Sequence, residues 1–203
     1  MKSLQARLNL VLERIESPKF LKSDGLGNEI GFWIFDYAAK HELIVREHLI
    51  HITEKLSKRG YKFESVNLFE VLIEMLGSRG LLERTFTREK QVGVDELRKT
   101  LAGPLSQKKI AEFIANKIHP ESLEFVIISG LGNAWPLIRG HELLSALQDV
   151  MGNTPLVLYY PGEYSGRDLH SFGMIESKNY YRAFKLVPED GKQNKPTQNK
   201  KII

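Results

Sequence analysis

The residues from Phe125 to Leu144 constrain the fold of this chain more than any other segment. A short run rich in β-branched residues, Phe125 to Ser129, ends in the turn Gly130-Leu-Gly-Asn133, and apolar residues at helical spacing follow. This order of strand, loop and helix is typical of doubly wound α/β proteins, in which ligands bind at the carboxyl ends of parallel strands. The segment therefore predicts an α/β fold with a site-shaped turn.

The turn itself has two interpretations. Gly130, Gly132 and Asn133 could surround a phosphate, because the N–H groups at the start of the following helix attract anions. Alternatively, the glycines permit a positive φ and close packing in a tight strand-to-helix connection. The turn has neither the Lys-Ser/Thr of a P-loop nor a third glycine spaced for a dinucleotide. The packing interpretation is therefore favoured, and no cofactor is predicted.

The hydrophobic pattern predicts strands that alternate with helices along most of the chain. Such alternation favours a mostly parallel sheet covered by helices on both faces. We expect an α/β fold with a Rossmann-like, mostly parallel sheet of about five strands, and the pattern leaves the strand order open. The predicted strands are Ile30–Asp36, Tyr61–Val66, Glu124–Ser129, Pro155–Tyr160 and Tyr180–Val187.

Apolar residues at helical spacing predict the helices between these strands. Ser17-Pro18 is expected to end the first helix, and Asn133 to cap the last one, with Pro136 tolerated in its first turn. Asn67 and Glu70 resemble a capping box at the start of the third helix. The predicted helices cover residues 2–16, 40–58, 67–77, 106–118 and 134–151.

The length of 203 residues suits one α/β domain and is marginal for two. Residues 1–188 are expected to form that domain, with a turn-rich loop at 161–166. Residues 81–103 are expected to be a helical insertion, where a partner could dock because long connections in compact domains are often functional. Residues 189–203 lack an apolar period and are expected to be a disordered basic tail.

Composition excludes several classes of site. The chain has no cysteine, so it has no disulfide, no thiolate catalysis and no cysteine-ligated metal. No apolar run approaches the roughly 20 residues that a membrane-spanning helix needs, and the N-terminus lacks a signal-peptide pattern. We therefore expect a cytoplasmic protein that does not contact a membrane.

The positive net charge does not predict direct DNA binding. Of the net charge of +4, the tail from Glu189 to Ile203 contributes +2, with four lysines against two acids. Only short basic bursts such as Lys55-Leu-Ser-Lys-Arg59 occur in the remainder, whereas a surface that follows phosphates usually has its cations clustered on one element. Solvated helix faces are the favoured interpretation.

Three side chains are candidates for acid–base or metal chemistry. Asp36, at the end of the first strand, could serve as a general base or a metal ligand, but a lone acid there is more often a loop cap. His48 and His51 are three residues apart on one helix, whereas the zinc-binding helix motif places histidines four apart. A partly buried, hydrogen-bonded His48 is favoured, and no metal site is predicted.

Aromatic residues and arginines in the C-terminal half are candidates for a protein interface. Tyr164 and Arg167 are the preferred exposed anchors, and a Tyr164 packed with its hydroxyl tied to the backbone is an equally weighted alternative. Trp135 and Arg139 are the other candidates. Adjacent strand residues point to opposite faces of a sheet, so one residue of the Tyr159–Tyr160 pair is expected in the core and the other to be more accessible.

An ordered set of motifs resembles one protein family. The motifs are Gly25–Tyr37, Val45–Leu49, Val66–Phe69, Gly80–Leu82, Gly130–Leu144, Tyr160–Tyr164 and Asn179–Phe184. In this order and spacing, and over nearly the whole chain up to Pro188, the sequence resembles the BrxB family of the bacterial BREX bacteriophage-exclusion systems.

The resemblance implies a role as a non-catalytic interaction or regulatory subunit of an antiviral complex, needed for host DNA methylation and phage restriction. The implied partners are an alkaline-phosphatase-like component first, then a DNA methyltransferase and an ATPase, with DNA contacted only indirectly. One alternative is a nucleotide-binding or nucleotide-hydrolysing enzyme that uses Ser129–Asn133, assisted by Asp36 and Arg139. Another is a nucleic-acid module, whose binding would weaken steeply with salt.

Overall fold

The centre of the protein is a mostly parallel sheet. The computed structural model describes residues 3–22, 31–166, 168–172, 175–176 and 183–189, in which seven strands form one sheet. The strands are β1 (Phe32–Tyr37), β2 (Phe63–Asn67), β3 (Phe125–Ser129), β4 (Leu156–Tyr164), β5 (Leu169–Ser171), β6 (Ile175–Glu176) and β7 (Phe184–Lys185).

Five of these strands run parallel in the order β2-β3-β4-β1-β7, and β5 and β6 extend β4 as an antiparallel hairpin. Asp36 lies opposite Tyr160, and Asn67 lies opposite Ser129, so the strand ends meet at one edge as expected. The predicted α/β class and parallel sheet are confirmed. The order differs from the two common doubly wound orders, 3-2-1-4-5-6 and 2-1-3-4-5.

Helices cover both faces of the sheet, because alternate strand residues are apolar on both sides. Ile34 and Leu158 pack with α5, α6, α7 and α9, whereas Trp33 and Val157 pack with α1 to α4. None of the described helices is both long and apolar enough to cross a membrane. The helices are α1 (Leu4–Leu8), α2 (Val11–Ile15), α3 (Pro18–Leu21), α4 (Glu42–Lys58), α5 (Leu68–Ser78), α6 (Leu82–Leu101), α7 (Gln107–Ile118), α8 (Leu131–Ala134) and α9 (Gly140–Gln148).

The double coverage corrects one expectation about the aromatic residues. Tyr159 and Tyr160 point to opposite faces, yet both are fully buried. Neither is therefore the accessible member that the sequence predicted. The expectation applies to a sheet with one solvent-exposed face, whereas helices cover both faces of this sheet at β4.

The predicted helical insertion is α6, which is kinked at Gly93, where φ is 77°. Only Leu97 and Leu101 of this helix are buried, and both lie near its end. Most of α6 therefore extends over the surface, while its last turns are fixed in the core.

The N-terminal helix predicted at 2–16 is divided into α1 and α2, and Ser17-Pro18 begins α3 instead of ending the segment. The Ser17 hydroxyl accepts a hydrogen bond from the Phe20 N–H, which caps α3. Proline is favourable at the first position of a helix, because its missing N–H would have no partner there. A Ser-Pro dipeptide can therefore mark the start of a helix as well as the end of one.

The helix predicted at 134–151 is also divided. Asn133 lies inside α8 and does not cap a helix, and α9 begins only at Gly140. Trp135 has an extended backbone (φ −71°, ψ 140°) because a proline disfavours the helical region for the residue before it. Pro136 therefore lies in the connection between two helices and not in a first turn.

The loop predicted at 161–166 is mostly strand. β4 continues to Tyr164 and pairs with β5, and the Pro161 carbonyl accepts a hydrogen bond from the Phe172 N–H. Turn-forming residues are tolerated here because the strand leaves the parallel sheet for a short hairpin. Ile30, Tyr180 to Arg182 and most of the predicted tail, residues 190–203, lie outside the described residues, so the fifth predicted strand is seen only at Phe184–Lys185.

His48 on α4 is a partly buried polar group. Its Nε2 is buried and has no hydrogen-bond partner in the described part of the chain, so the predicted partial burial is confirmed and the predicted hydrogen bond is not found at this atom. Burial lowers the pKa of His48 from 6.5 to about 4, with smaller contributions from His51 and Lys55. The folded protein therefore favours the neutral imidazole.

We predict a pH-dependent stability that originates at His48. Between pH 6.5 and about 4 the unfolded chain binds a proton that the folded chain does not, so the free energy of unfolding decreases as the pH falls through this window. Urea denaturation of the wild type and of His48→Leu at pH 7.0, 5.5 and 4.5 measures the effect. The variant should lose less stability than the wild type, and equal losses in both proteins would contradict the prediction.

Candidate functional site

Asp36 is the centre of a buried polar cluster at the carboxyl end of β1. Its Oδ1 forms an ion pair with Arg7 Nη2 at 2.5 Å, and its Oδ2 accepts from Lys185 Nζ at 2.8 Å and from the Tyr164 N–H at 3.1 Å. The Asp36 side chain is 3% exposed and that of Arg7 is 5% exposed. Two cations and one backbone N–H therefore surround a single buried carboxylate.

Arg7 extends this cluster to the backbone of two other segments. Its Nη1 donates to the Asp36 carbonyl at 2.8 Å and its Nε donates to the Val187 carbonyl at 3.1 Å. Its guanidinium lies 4.8 Å from the centre of the Phe35 ring. The side chain thereby joins α1, the end of β1 and the segment after β7.

The arrangement favours the structural alternative for Asp36. Both carboxylate oxygens are bonded to protein groups, and burial keeps solvent away from them. In the described residues no group of three or more histidine, aspartate or glutamate side chains is placed to hold a metal ion. Asp36 therefore has a structural role like that of a loop cap. Its carboxylate holds the end of β1 against α1, β4 and β7, and two of its three partners are cations.

Sequence reasoning found Asp36 but missed Arg7 and Lys185. Arg7 lies beside the apolar positions Leu4 and Leu8 of an amphipathic segment, and Lys185 lies in an apolar strand. A charged residue in such surroundings is usually paired. That signal identifies residues in need of a partner, but it does not identify the partner.

Tyr164 is fully buried, so the expectation of an exposed anchor is wrong. Its hydroxyl donates to the Ala183 carbonyl at 2.8 Å and accepts from the Ala183 N–H at 3.3 Å. The hydroxyl is thus bonded to the backbone just before β7, which is the packed alternative that the sequence left open. Arg167 lies outside the described residues.

The glycine turn is fitted against the cap of α5. Gly130 has φ 77°, and a Cβ built on it would lie 2.2 Å from Asn67 Oδ1. That oxygen accepts from the Phe69 N–H at 3.1 Å, so Asn67 caps α5, and Asn67 Nδ2 donates to Glu70 at 3.0 Å. These bonds differ from the predicted capping box, in which the Glu70 side chain would accept from the backbone N–H of Asn67. The turn is thus closely packed on another helix start.

The other residues of the turn also make protein contacts. A Cβ on Gly132 would lie 3.3 Å from Pro161 Cγ, and Asn133 Oδ1 accepts from Arg46 Nη2 at 2.8 Å. The helix that follows, α8, has only four residues. These contacts support the packing interpretation of the turn over the phosphate interpretation.

Arg46 belongs to a polar chain that links α4 to this turn. Arg46 Nε donates to Glu42 at 2.9 Å, and the Tyr37 hydroxyl donates to the other oxygen of Glu42 at 2.6 Å. Burial, and then the hydrogen bond to Glu42, raise the pKa of Tyr37 well above its usual value, so its phenol stays protonated. These hydrogen bonds connect the end of β1, through α4, to the glycine turn after β3.

The structure does not bring the proposed nucleotide-site residues together. Asp36 on β1 and Ser129 on β3 are separated by β4, which places their strands about 10 Å apart at ~4.8 Å per strand. Arg139 lies beyond α8 and pairs with Glu142 at 3.6 Å. The alternative of an enzyme site built from Asp36, Arg139 and the turn therefore gains no geometric support.

Two of the four interface candidates, Trp135 and Arg139, are exposed. Trp135 is 40% exposed and packs edge-to-face on Phe172, with 5.5 Å between ring centres. The Arg139 side chain is 61% exposed. Large apolar side chains are also exposed on α4, where Leu43 is 78% and Ile50 is 60% exposed. Surfaces of this composition are typical of protein interfaces.

A cleft of about 360 Å³ lies between the end of α6, the start of α7 and the connection before α9. We call it the basic cleft. The residues that define it are Arg98, Lys99, Gln107, Leu137, Arg139 and Glu142. Its volume is at the lower end of the range for ligand pockets.

We predict that Asp36→Ala destabilises the protein by about 3 to 5 kcal/mol, because it removes the buried counter-charge of the Arg7 guanidinium and leaves only the more distant, 45% exposed Glu189 at 3.8 Å. Urea denaturation at pH 7 measures the change. The exposed pair of Lys99 and Glu96 supplies the control, and Glu96→Gln should cost less than about 1 kcal/mol. Equal losses in the two variants would show that the Asp36 cluster is not a structural centre.

A second prediction concerns the turn. Gly130→Ala should destabilise by about 1 to 3 kcal/mol, because it combines a positive φ with a contact on Asn67. Gly77→Ala is the matched control, since nothing lies within 4 Å of its added Cβ and alanine is favoured over glycine in helices. Gly77→Ala should keep or raise the urea midpoint, and a Gly130→Ala midpoint at the wild-type value would refute the packing interpretation.

Comparison with known proteins gives consistent matches. The family model described as BREX protein BrxB matches residues 64–186. A BREX protein BrxB of Escherichia coli O9:H4 (strain HS) is 56% identical over 188 residues, which are 93% of this chain and 94% of the relative. Another, from Bacillus cereus (strain H3081.97), is 36% identical over 192 residues, 92% of this chain and 99% of the relative. No solved structure gives a significant match.

These matches agree with the motifs that suggested the family. The family model covers more than half of the chain, and each relative is matched over nearly its whole length. The chain therefore belongs to the BrxB family of BREX proteins.

Proposed function

We propose that this protein is a non-catalytic interaction or regulatory subunit of a BREX antiviral complex and acts in the cytoplasm through protein–protein contacts. The observation that carries the proposal is the Asp36 cluster. It fills the place in the sheet where an α/β enzyme would hold its ligand.

Topology identifies that place. The connection after β1 leads to α4 on one face of the sheet, and the connection after β4 leads to the hairpin, whose Leu169 packs on the other face. Neighbouring parallel strands with connections on opposite faces open a crevice at their carboxyl ends, where ligands usually bind. Here Arg7, Lys185 and the Tyr164 backbone occupy the space around Asp36.

Exposed residues support a role in binding other proteins. Trp135, Arg139 and the apolar side chains of α4 remain accessible around a sheet that is covered on both faces. Aromatic residues and arginines are enriched in the centres of protein interfaces. The family assignment adds that both relatives are named as BREX proteins.

The proposal extends to partners through the resemblance. The first is the alkaline-phosphatase-like component of the system, followed by the DNA methyltransferase and the ATPase, with DNA reached only through them. In this role the subunit is needed for host DNA methylation and phage restriction because it assembles or regulates the components that act on DNA.

Co-purification tests this proposal. We expect the full chain, mixed at micromolar concentration with each of the three components separately, to elute from a size-exclusion column as a stoichiometric complex with at least one of them. Elution as a free protein beside all three would refute the interaction role.

Calorimetry with ATP, GTP and NAD tests the absence of a nucleotide site. No specific heat is expected for the wild-type chain. Micromolar binding that is abolished by Gly132→Val would replace the proposal with a nucleotide-dependent activity.

A further inference from the structure

The junction between α6 and α7 has an unbalanced positive charge. From Leu97 to Ala111 the chain contains Arg98, Lys99, Lys108 and Lys109 and no acidic residue. Lys109 is engaged by the Gly103 carbonyl at 2.8 Å. The sequence predicts that a partner could dock on the insertion that contains α6. The end of α6 is the part of this insertion that is both anchored in the core and basic.

The fold adds a further cation to this junction. The connection before α9 brings Arg139 to the basic cleft, opposite Arg98 and Lys99. Glu142 is the one acidic residue among those that line the cleft, and it lies 3.6 Å from Arg139. Three positive charges against one negative charge give the cleft a net positive potential.

The ion pairs of the cleft leave these cations available. Lys99 pairs with Glu96 at 2.6 Å, but the two side chains are 68% and 56% exposed. Exposed pairs of this kind contribute little and exchange easily with another partner. Glu96 would therefore compete only weakly with a carboxylate of a ligand for Lys99.

The floor of the cleft contains both hydrogen-bond donors and a buried acceptor. Ser106 makes no side-chain capping bond to the first turn of α7, which leaves N–H groups there for a ligand or for water. Gln107 Nε2 donates to the Leu137 carbonyl at 2.9 Å, whereas its Oε1 is buried and has no hydrogen-bond partner in the described residues. A ligand that fits this floor brings acceptors and at least one donor.

We propose that the basic cleft docks an acidic segment of a partner protein. Carboxylates of the segment contact Arg98, Lys99 and Arg139, a backbone N–H of the segment satisfies Gln107 Oε1, and an apolar side chain packs on Leu137. A phosphate monoester dianion has only acceptor atoms and would leave the Gln107 oxygen unpaired, whereas the backbone of a peptide supplies the N–H donor. This inference rests on the proposed interaction role and names the kind of surface that the partner presents.

A labelled peptide tests the cleft without a known partner. The probe is a fluorescein-labelled 12-residue peptide of alternating glutamate and leucine, titrated with the full-length protein and followed by fluorescence anisotropy. The double variant Arg98→Gln/Arg139→Gln should bind about fivefold to tenfold more weakly, as expected for the loss of two exposed charge contacts. The control Arg88→Gln, on the same helix but outside the cleft, should bind within about twofold of the wild type.

Two further arms separate the sources of binding. A peptide with glutamine in place of glutamate should bind weakly to all three proteins. Excess inorganic phosphate, at matched ionic strength, should compete poorly. Equal affinity of the double variant and the wild type for the acidic peptide would overturn the proposal, as would displacement of the peptide by phosphate at millimolar concentration.

The same variants distinguish this inference from the proposed function. In the size-exclusion experiment with the BREX components, a complex that forms with the wild type and the Arg88→Gln control but is weakened by the double variant supports both proposals. A complex that the double variant keeps unchanged refutes the cleft and leaves the interaction role standing. If no component binds the wild type, the interaction role fails, and the cleft as a site for a partner in this system fails with it.

Discussion

The buried ion pair between Arg7 and Asp36 is the interaction on which the arrangement of the sheet edge depends. Two charged side chains that are almost fully buried are tolerated only when each is paired and hydrogen-bonded. Asp36 meets that condition with Arg7, Lys185 and the Tyr164 N–H, and Arg7 meets it with two backbone carbonyls. This set of bonds holds α1, β1 and the segment after β7 in one geometry.

This constraint also supports the proposed interaction role. The crevice between β1 and β4 is the usual ligand position in a parallel α/β sheet, and in this member of the BrxB family the chain's own side chains fill it. The accessible features are found elsewhere, at Trp135, at Arg139 and along the basic cleft. These exposed features are the surfaces at which the proposed protein contacts would form.

Local patterns predicted the elements more successfully than their contacts. The spacing of apolar residues located the strands and the long helices. The packing interpretation of the turn fits Gly130, because glycine tolerates both its positive φ and the close approach of Asn67. Patterns with two meanings were misassigned. Ser17-Pro18 starts a helix, Pro136 separates two helices, and the proline–glycine segment after Tyr160 continues a strand.

The sequence by itself determined the α/β class, the approximate positions of five parallel strands, the absence of thiol chemistry and the candidacy of Asp36 as a loop cap. The tertiary structure alone decided the strand order, the burial of Tyr164 and the identity of the groups around Asp36. The physical reason is the distance in the sequence between the residues that interact. Secondary structure depends on residues a few positions apart, whereas the partners of Asp36 lie 29, 128 and 149 residues away in the sequence. Only the packing of the whole chain brings such residues together, because the cost of burying each charge is offset by groups that no local pattern connects.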